Sequence, residues 1–184
     1  FIKSFYIFYK LMKYDFAIIG SGIIGLTLAF KLKQKFNNSN IIIFEKEKNS
    51  ISHGSGRNSG VLHSGIYYEP GSLRAKLCTK GVKELKEYIK SENLWLDECG
   101  KLLLPTSKVS FSNLDSLHNR AKKNGVKIDK IKNKDIENLE PNVNCQFDYG
   151  LYVPFTSVAD PKEVSNSLIK NLKKMNIDIQ YNTK

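Results

Sequence analysis

Tyr14-Asp-Phe-Ala-Ile-Ile-Gly-Ser-Gly-Ile-Ile-Gly25, with Glu45 further on, decides the fold of this chain. The quoted run reads as strand, glycine turn and the start of a helix. The stretch to Glu45 adds a second strand with an acidic tip, the pattern of a dinucleotide-binding βαβ unit. Phe16 to Ile19 form a short apolar run suited to a strand buried on both faces of a parallel sheet. Gly20 permits a tight turn, Gly22 lets the backbone approach a pyrophosphate, and Gly25 lets the next helix pack close to the strand. That helix is expected from Ile23 to Phe36, with Ile24, Leu28 and Leu32 recurring at helical spacing. Its free N–H groups and positive dipole end would face the phosphates. Ile41 to Phe44 reads as a second buried strand. Strands lie about 4.8 Å apart, so Glu45 falls beside the phosphate site, where its carboxylate would accept hydrogen bonds from ribose hydroxyls. The competing reading makes the glycines an ordinary turn and Glu45 a solvated strand end. It needs three glycines in three required places by coincidence, and is rejected.

Composition narrows the class. The chain has 184 residues, 41% hydrophobic and 26% charged, within the range of a globular protein of one or two domains. The net charge of +11 invites a nucleic-acid reading. Against it, Arg57, Arg74 and Arg120 are the only arginines, and the lysines are scattered without any nucleic-acid motif. Lys, Asn and Ile are all abundant and share AT-rich codons, so genome composition explains much of the charge. No nucleic-acid partner is expected. Cys78, Cys99 and Cys145 are widely spaced, without a CxxC pair, which argues for reduced thiols in a cytoplasmic protein and against a disulfide framework or a metal site. Residues 1–13 form a tail. Its first eleven residues are aromatic and basic, and Lys3 and Lys10 interrupt any span long enough for a bilayer. Either Met12 is the start and residues 1–11 are upstream read-through, or the N-terminus is incomplete. A membrane-surface anchor is the minority reading.

Further along, residues 46–72 lose periodicity and fill with Gly and Ser, a loop too long for a compact domain unless it is functional. Ser72 is placed to cap a helix over 73–91 whose buried side would comprise Ala75, Leu77, Val82, Leu85 and Ile89. Strands are expected at 94–98, 101–104, 126–131 and 150–153, and helices at 113–124 and 134–139. Asp160 and Pro161 open a last helix with Val164, Leu168 and Leu172 inward, and Ile177 to Tyr181 reads as a strand returning beside Ile41–Phe44. The expected architecture is α/β: a Rossmann-like parallel sheet with an inserted α+β substrate domain, truncated at the C-terminus. The dinucleotide domain would occupy 14–91 and 156–184, and the inserted domain 92–155.

The loop Gly56-Arg-Asn-Ser-Gly-Val-Leu-His-Ser-Gly-Ile-Tyr-Tyr68 is the specific part, followed by Pro70-Gly-Ser-Leu-Arg-Ala-Lys-Leu-Cys78. With Cys99-Gly-Lys-Leu102 and Glu140-Pro141, it resembles the L-2-hydroxyglutarate oxidase/dehydrogenase family, relatives of D-amino-acid oxidase and glycerol-3-phosphate dehydrogenase. The resemblance covers residues 14–184 and implies FAD as cofactor. It implies that Gly20, Ser21, Gly22, Ile24 and Gly25 surround the pyrophosphate and that Glu45 with Lys46 lies at the adenosine ribose. Arg57, Asn58, Ser59 and Gly60 would lead the contacts to phosphates, ribityl chain and flavin ring, roles their chemistry suits. His63 is the implied catalytic candidate, a base for the substrate hydroxyl as hydride passes to flavin N5; it could equally hydrogen-bond FAD or a neighbouring backbone group. His53 is a weaker candidate, His118 is expected to face solvent, and Tyr67 and Tyr68 are expected to pack in the core rather than line a cavity.

The resemblance further implies a small 2-hydroxy acid substrate, most specifically L-2-hydroxyglutarate, with oxygen or a quinone as electron acceptor. Peripheral contact with the inner membrane fits the basic tail. Carboxylate clamps are expected in a missing C-terminal half, leaving this stretch inactive alone. The alternatives are a relative acting on glycerol 3-phosphate or an amine, a truncated non-catalytic dinucleotide module, and a basic nucleic-acid binder.

Overall fold

The computed structural model describes residues 14–184, and the expectations for the tail fall outside the described residues. The chain folds as two compact units: residues up to Asn58 together with Pro161–Lys184, and Ser59–Asp160.

The first unit is a three-stranded parallel sheet. Strand β1 (Phe16–Ile19) leads through the glycine turn into helix α1 (Ile23–Lys35), which returns to β2 (Ile41–Phe44). β2 is the middle strand, with β1 on one side and the last strand, Asp178–Gln180, on the other. The register runs Phe16 opposite Ile41 to Ile19 opposite Phe44, then Ile43 opposite Ile179. The middle position explains why Ile41, Ile42 and Ile43 are all buried. β1 departs from the expectation of a strand buried on both faces: it is an edge strand, Ile18 is buried and Ile19 is 82% exposed. α1 also departs. Its inward face is Gly25, Leu26 and Ala29, while Ile24 and Leu28 are exposed. Small residues let the helix axis approach its neighbours, and that outweighs the larger apolar side chains. α1 packs on the helix over Pro161–Lys174, whose Val164, Leu168 and Leu172 point inward as the spacing predicts. Asn176, at φ +58°, turns the chain into the final strand.

The second unit holds two antiparallel sheets. In one, β3 (Val61–Leu62) and β4 (Leu96–Asp97) flank β8 (Ser157–Ala159). In the other, β5 (Leu102–Leu103) and β6 (Asp129–Lys132) flank β7 (Tyr149–Tyr152). Helix α2 (Leu73–Ser91) begins at Ser72, whose hydroxyl accepts the Ala75 N–H at 3.2 Å. Short helices follow at Lys108–Ser112, Leu114–Lys123 and Asn133–Leu139. Ile66, Leu114, Ala121, Val126, Ile128, Leu151 and Val153 form the core of this unit. Residues 59–91 were expected with the dinucleotide domain. In this structure they lie in the second unit, where β3 pairs with β8 and α2 is bonded to Glu98 and Phe155.

That bonding centres on Lys86. It lies on the buried side of α2 with Ala75, Val82 and Ile89, where the sequence pattern put Leu77, which is exposed. Lys86 Nζ donates to the Phe155 carbonyl at 2.7 Å and to Glu98 Oε1 at 3.1 Å, and sits 3.7 Å from the centre of the Phe155 ring. Lys90 bonds the other Glu98 oxygen at 2.9 Å. Hydrogen bonds from Lys90 and then Lys86 hold the Glu98 carboxyl below its ordinary range. Lys86→Ala is expected to lower stability by about 2 kcal/mol, the scale of a lost charged hydrogen bond plus cation–π contact. Lys86→Met, which keeps the buried stem, is expected to cost less; equal urea-denaturation midpoints for wild type and Lys86→Ala would show the cluster to be neutral.

Candidate functional site

The glycine turn of the first unit is held by the strand tip beside it. Gly20 adopts φ +94°, where a side chain is strained, and its N–H donates to the Phe44 carbonyl at 2.7 Å. Ser21 is fully buried, and both its N–H and its hydroxyl donate to Glu45 Oε2 at 2.7 Å. The Glu47 N–H donates to Glu45 Oε1 at 3.0 Å. Burial alone would raise the Glu45 carboxyl, but the donors of Glu47, Ser21 and Lys46 together hold it below its ordinary value of 4.5. Glu45 was expected to meet ribose hydroxyls. Its first role in this structure is to lock the turn, and a carboxylate with about four lone-pair sites retains capacity on Oε1.

Gly25 follows with no room for a side chain, since a Cβ there would lie 2.0 Å from the Gly20 carbonyl oxygen. At the start of α1 the Leu26 N–H bonds Gly22 O at 3.0 Å. The Ile23 N–H donates to Ser55 Oγ at 3.1 Å. Among the described residues the N–H groups of Ile24 and Gly25 have no partner. Ser55 lies on a short turn over Gly54–Gly56 that is clipped to the glycine turn, with Ile51 N–H donating to Ser21 O at 3.3 Å. Asn58 Nδ2 donates to Gly54 O and Ser55 O, closing that turn. Two open N–H groups at a positive helix end, beside a hydroxyl with a proton to give, make a donor set for a bridging phosphate. The structure therefore brings Gly20, Ser21, Gly22, Gly25 and Glu45 together and adds Ser55, which sequence reasoning missed although the Gly-Ser-Gly spacing around it was a signal. Ile24 contributes its backbone, because its side chain is exposed. Lys46 is exposed, 3.7 Å from Glu47 Oε1, and Arg57 is exposed at the end of the clipped loop.

Ser59, Gly60 and His63 belong to the second unit. Ser59 is exposed, and the buried Gly60 accepts the Ala159 N–H at 3.0 Å. His63 lines a cavity of about 250 Å³ with Tyr67, Tyr68, Lys101 and Thr156. The tyrosines were expected in the core, yet the strand-to-helix loop carries both rings outward to wall this cavity. Asn124 Nδ2 fixes that loop through the carbonyls of Gly65 (3.1 Å) and Tyr68 (2.8 Å). Cys78 Sγ donates to His63 O at 3.1 Å, and burial pushes its thiol up. His53 is exposed, 3.0 Å from Glu47. His118, expected to face solvent, is half-buried, and desolvation lowers its imidazole. Among the described residues no group of three His, Cys, Asp or Glu side chains could hold a metal ion, and no helix is long and apolar enough to cross a membrane.

A parallel sheet whose first turn presents open helix N–H groups, with an acidic residue at the neighbouring strand tip, defines a dinucleotide-binding α/β protein. Residues 15–184 match the family described as "DAO: FAD dependent oxidoreductase", and the chain belongs to that family. Among curated proteins it is 39% identical to a mitochondrial L-2-hydroxyglutarate dehydrogenase of Dictyostelium discoideum, over 93% of this chain and 40% of that protein. It is 33% identical to the L-2-hydroxyglutarate dehydrogenase of Escherichia coli strain K12, over 92% of this chain and 40% of the relative. The chain thus spans about 40% of the length of the curated relatives it matches. Among solved structures it resembles a dithionite-reduced L-α-glycerophosphate oxidase from Mycoplasma pneumoniae with FAD bound. The TM-score is 0.82 at 25% identity, over 94% of this chain and 46% of the other. An L-proline dehydrogenase from P. horikoshii shares the fold with a TM-score of 0.82 at 18% identity, over 94% and 45% of the two chains.

Gly25→Ala is expected to prevent closure of the turn and to destabilise by at least the ~1–3 kcal/mol of ordinary overpacking, read as a lowered urea midpoint. Glu45 carries a pH signature. Its folded carboxyl titrates below its ordinary value, so its contribution is complete at neutral pH and is lost as pH falls below about 4.5. Glu45→Gln is expected to cost roughly 1.5–3 kcal/mol at pH 7 and to flatten the acid limb of the stability curve. Parallel curves for wild type and variant would refute this.

Proposed function

We propose that this chain holds the adenosine and pyrophosphate side of FAD, and that the protein it forms oxidises a small L-2-hydroxy acid, L-2-hydroxyglutarate, to 2-oxoglutarate. The observation that carries the reading is the likeness of the chain to dehydrogenases of that substrate at 33–40% identity, supported by a glycine turn at which Gly25 cannot accept a side chain. The residues present fit the cofactor. Gly22 and Gly25 leave the backbone bare, Ile24 and Gly25 offer N–H donors, Ser55 offers a hydroxyl, and Glu45 with Lys46 is the proposed partner of the adenosine ribose. Arg57, Asn58, Ser59 and Gly60 are the proposed contacts further along the cofactor.

Bound FAD would supply the two-electron acceptor for the hydride of substrate C2, with flavin N5 the proposed position. The chain's own part is to bind and orient. A ring nitrogen of His63, which lines the cavity, would accept the proton of the C2 hydroxyl as the carbonyl forms. Oxygen or a quinone is the proposed final electron acceptor. The likeness to the glycerophosphate oxidase favours glycerol 3-phosphate as the second substrate reading.

The test is anaerobic addition of L-2-hydroxyglutarate to the FAD-loaded, full-length protein. Bleaching of the visible flavin band by the L isomer and not the D isomer is the expected result. A yellow protein bleached by glycerol 3-phosphate instead transfers the substrate assignment, and a protein that retains no flavin overturns the proposal.

A further inference from the structure

We infer that Lys101, with the hydroxyl of Tyr67, is the anion-holding element of the His63 cavity and grips a carboxylate of the substrate. The substrate part of this rests on the hydroxy-acid reading above, while the anion site stands on geometry. Lys101 is fixed at its backbone from two sides. Its N–H donates to Val153 O at 3.1 Å, and its carbonyl accepts the Val153 N–H at 2.9 Å. The residue before it, Gly100, adopts φ +76° and donates to Thr156 O at 3.0 Å. A Cβ at Gly100 would lie 2.5 Å from the Tyr152 hydroxyl, so only glycine permits the turn that delivers Lys101 to the cavity wall.

The side chain reaches Tyr67, with Nζ 3.1 Å from the hydroxyl oxygen and 5.0 Å from the ring centre. Among the described residues no carboxylate lies within ion-pair distance of Lys101, and none lines the cavity. The neighbouring lysine of the same unit shows the contrast, since Lys86 has Glu98 as its counter-ion. An ammonium without a counter-ion, on a wall that is mostly apolar, favours an anionic occupant. The Tyr67 hydroxyl accepts from Lys101, so its own proton is available to the same anion. A carboxylate has two oxygens, one for each donor. Arg120 Nη1 donates to the Tyr67 carbonyl at 3.3 Å and steadies the loop. Lys101 is thus a substrate-positioning cation, and His63 lines the same cavity.

The experiment uses the full-length, FAD-loaded protein and glutarate, a dicarboxylate that cannot be oxidised at C2 as a hydroxy acid can. Calorimetric titration is expected to show binding by wild type and about 10–100-fold weaker binding by Lys101→Met, the scale of one charged hydrogen bond. Lys101→Arg is expected to retain most of the affinity and Tyr67→Phe to lose several-fold, with flavin content unchanged in all three. These last two variants keep the test decisive if Lys101→Met fails to fold. Undiminished glutarate binding by Lys101→Met, equal affinities of Tyr67→Phe and wild type, or no binding by wild type overturns the inference. Lys101-dependent binding in a protein whose flavin L-2-hydroxyglutarate does not bleach supports the anion site and removes the substrate reading alone.

Discussion

A buried carboxylate is stable only when its lone pairs are met, and Glu45 meets this condition with donors that belong to the turn it must support. The glycine turn carries a left-handed residue and a helix start with unsatisfied N–H groups, neither of which is stable by local propensity. Glu45 ties that turn to the end of β2 through Ser21, while Gly20 N–H bonds the carbonyl of Phe44 next to it. Two adjacent residues of one strand thereby hold two adjacent residues of the turn. The buried position of β2 makes this clamp rigid, since Ile41–Ile43 cannot shift without exposing apolar surface at about 25 cal/mol per Å². The same strand tip binds the far end of the unit, because Glu45 N–H donates to Gln180 O and its carbonyl accepts the Thr183 N–H.

This arrangement gives the clipped loop a mechanical role. Ile51 N–H bonds Ser21 O, Ser55 Oγ caps the Ile23 N–H, and Asn58 closes the turn that bears Ser55. Ser21 therefore sits between two partners, Glu45 through its donors and Ile51 through its acceptor. A ligand at the helix end would meet a surface whose donors are already aimed, which lowers the ordering cost of binding. The fully buried serine is needed for this because alanine would leave Glu45 short of a donor.

The parallel sheet was legible because each of its signals is local: an apolar run too short for a helix, glycines at positions that exclude side chains, and an acid at a strand tip. Glu45 and the glycines of the turn could be named for the same reason. Other features depended on partners distant in sequence. Strand β8 escaped notice because Ser157-Val-Ala159 is three residues long and small, yet it is the middle strand of its sheet. The inward side of α1 was misread because Gly25 and Ala29 contribute closeness rather than hydrophobicity. The burial of Lys86 depends on Glu98 and Phe155, which come to it from later in the chain, and the role of Ser55 depends on α1 standing beside it.

The loop between β2 and α2 explains how a segment without periodicity can be ordered. Its first part is governed by polar clips to the glycine turn in one unit. Its second part is governed by β3 pairing, by the buried Ile66 and by Asn124 reaching two of its carbonyls in the other. Neither set of constraints resembles a repeating pattern, so neither writes a period into the sequence. The loop needs small residues where backbones meet and single polar side chains where carbonyls must be answered. Glycine, serine and asparagine are abundant there for that reason, and the same requirement leaves His63 and Tyr67 on a supported backbone with their side chains at the cavity. A side chain that must meet a ligand in one geometry is better placed on a loop whose carbonyls are already occupied than on one that orders only when the ligand arrives.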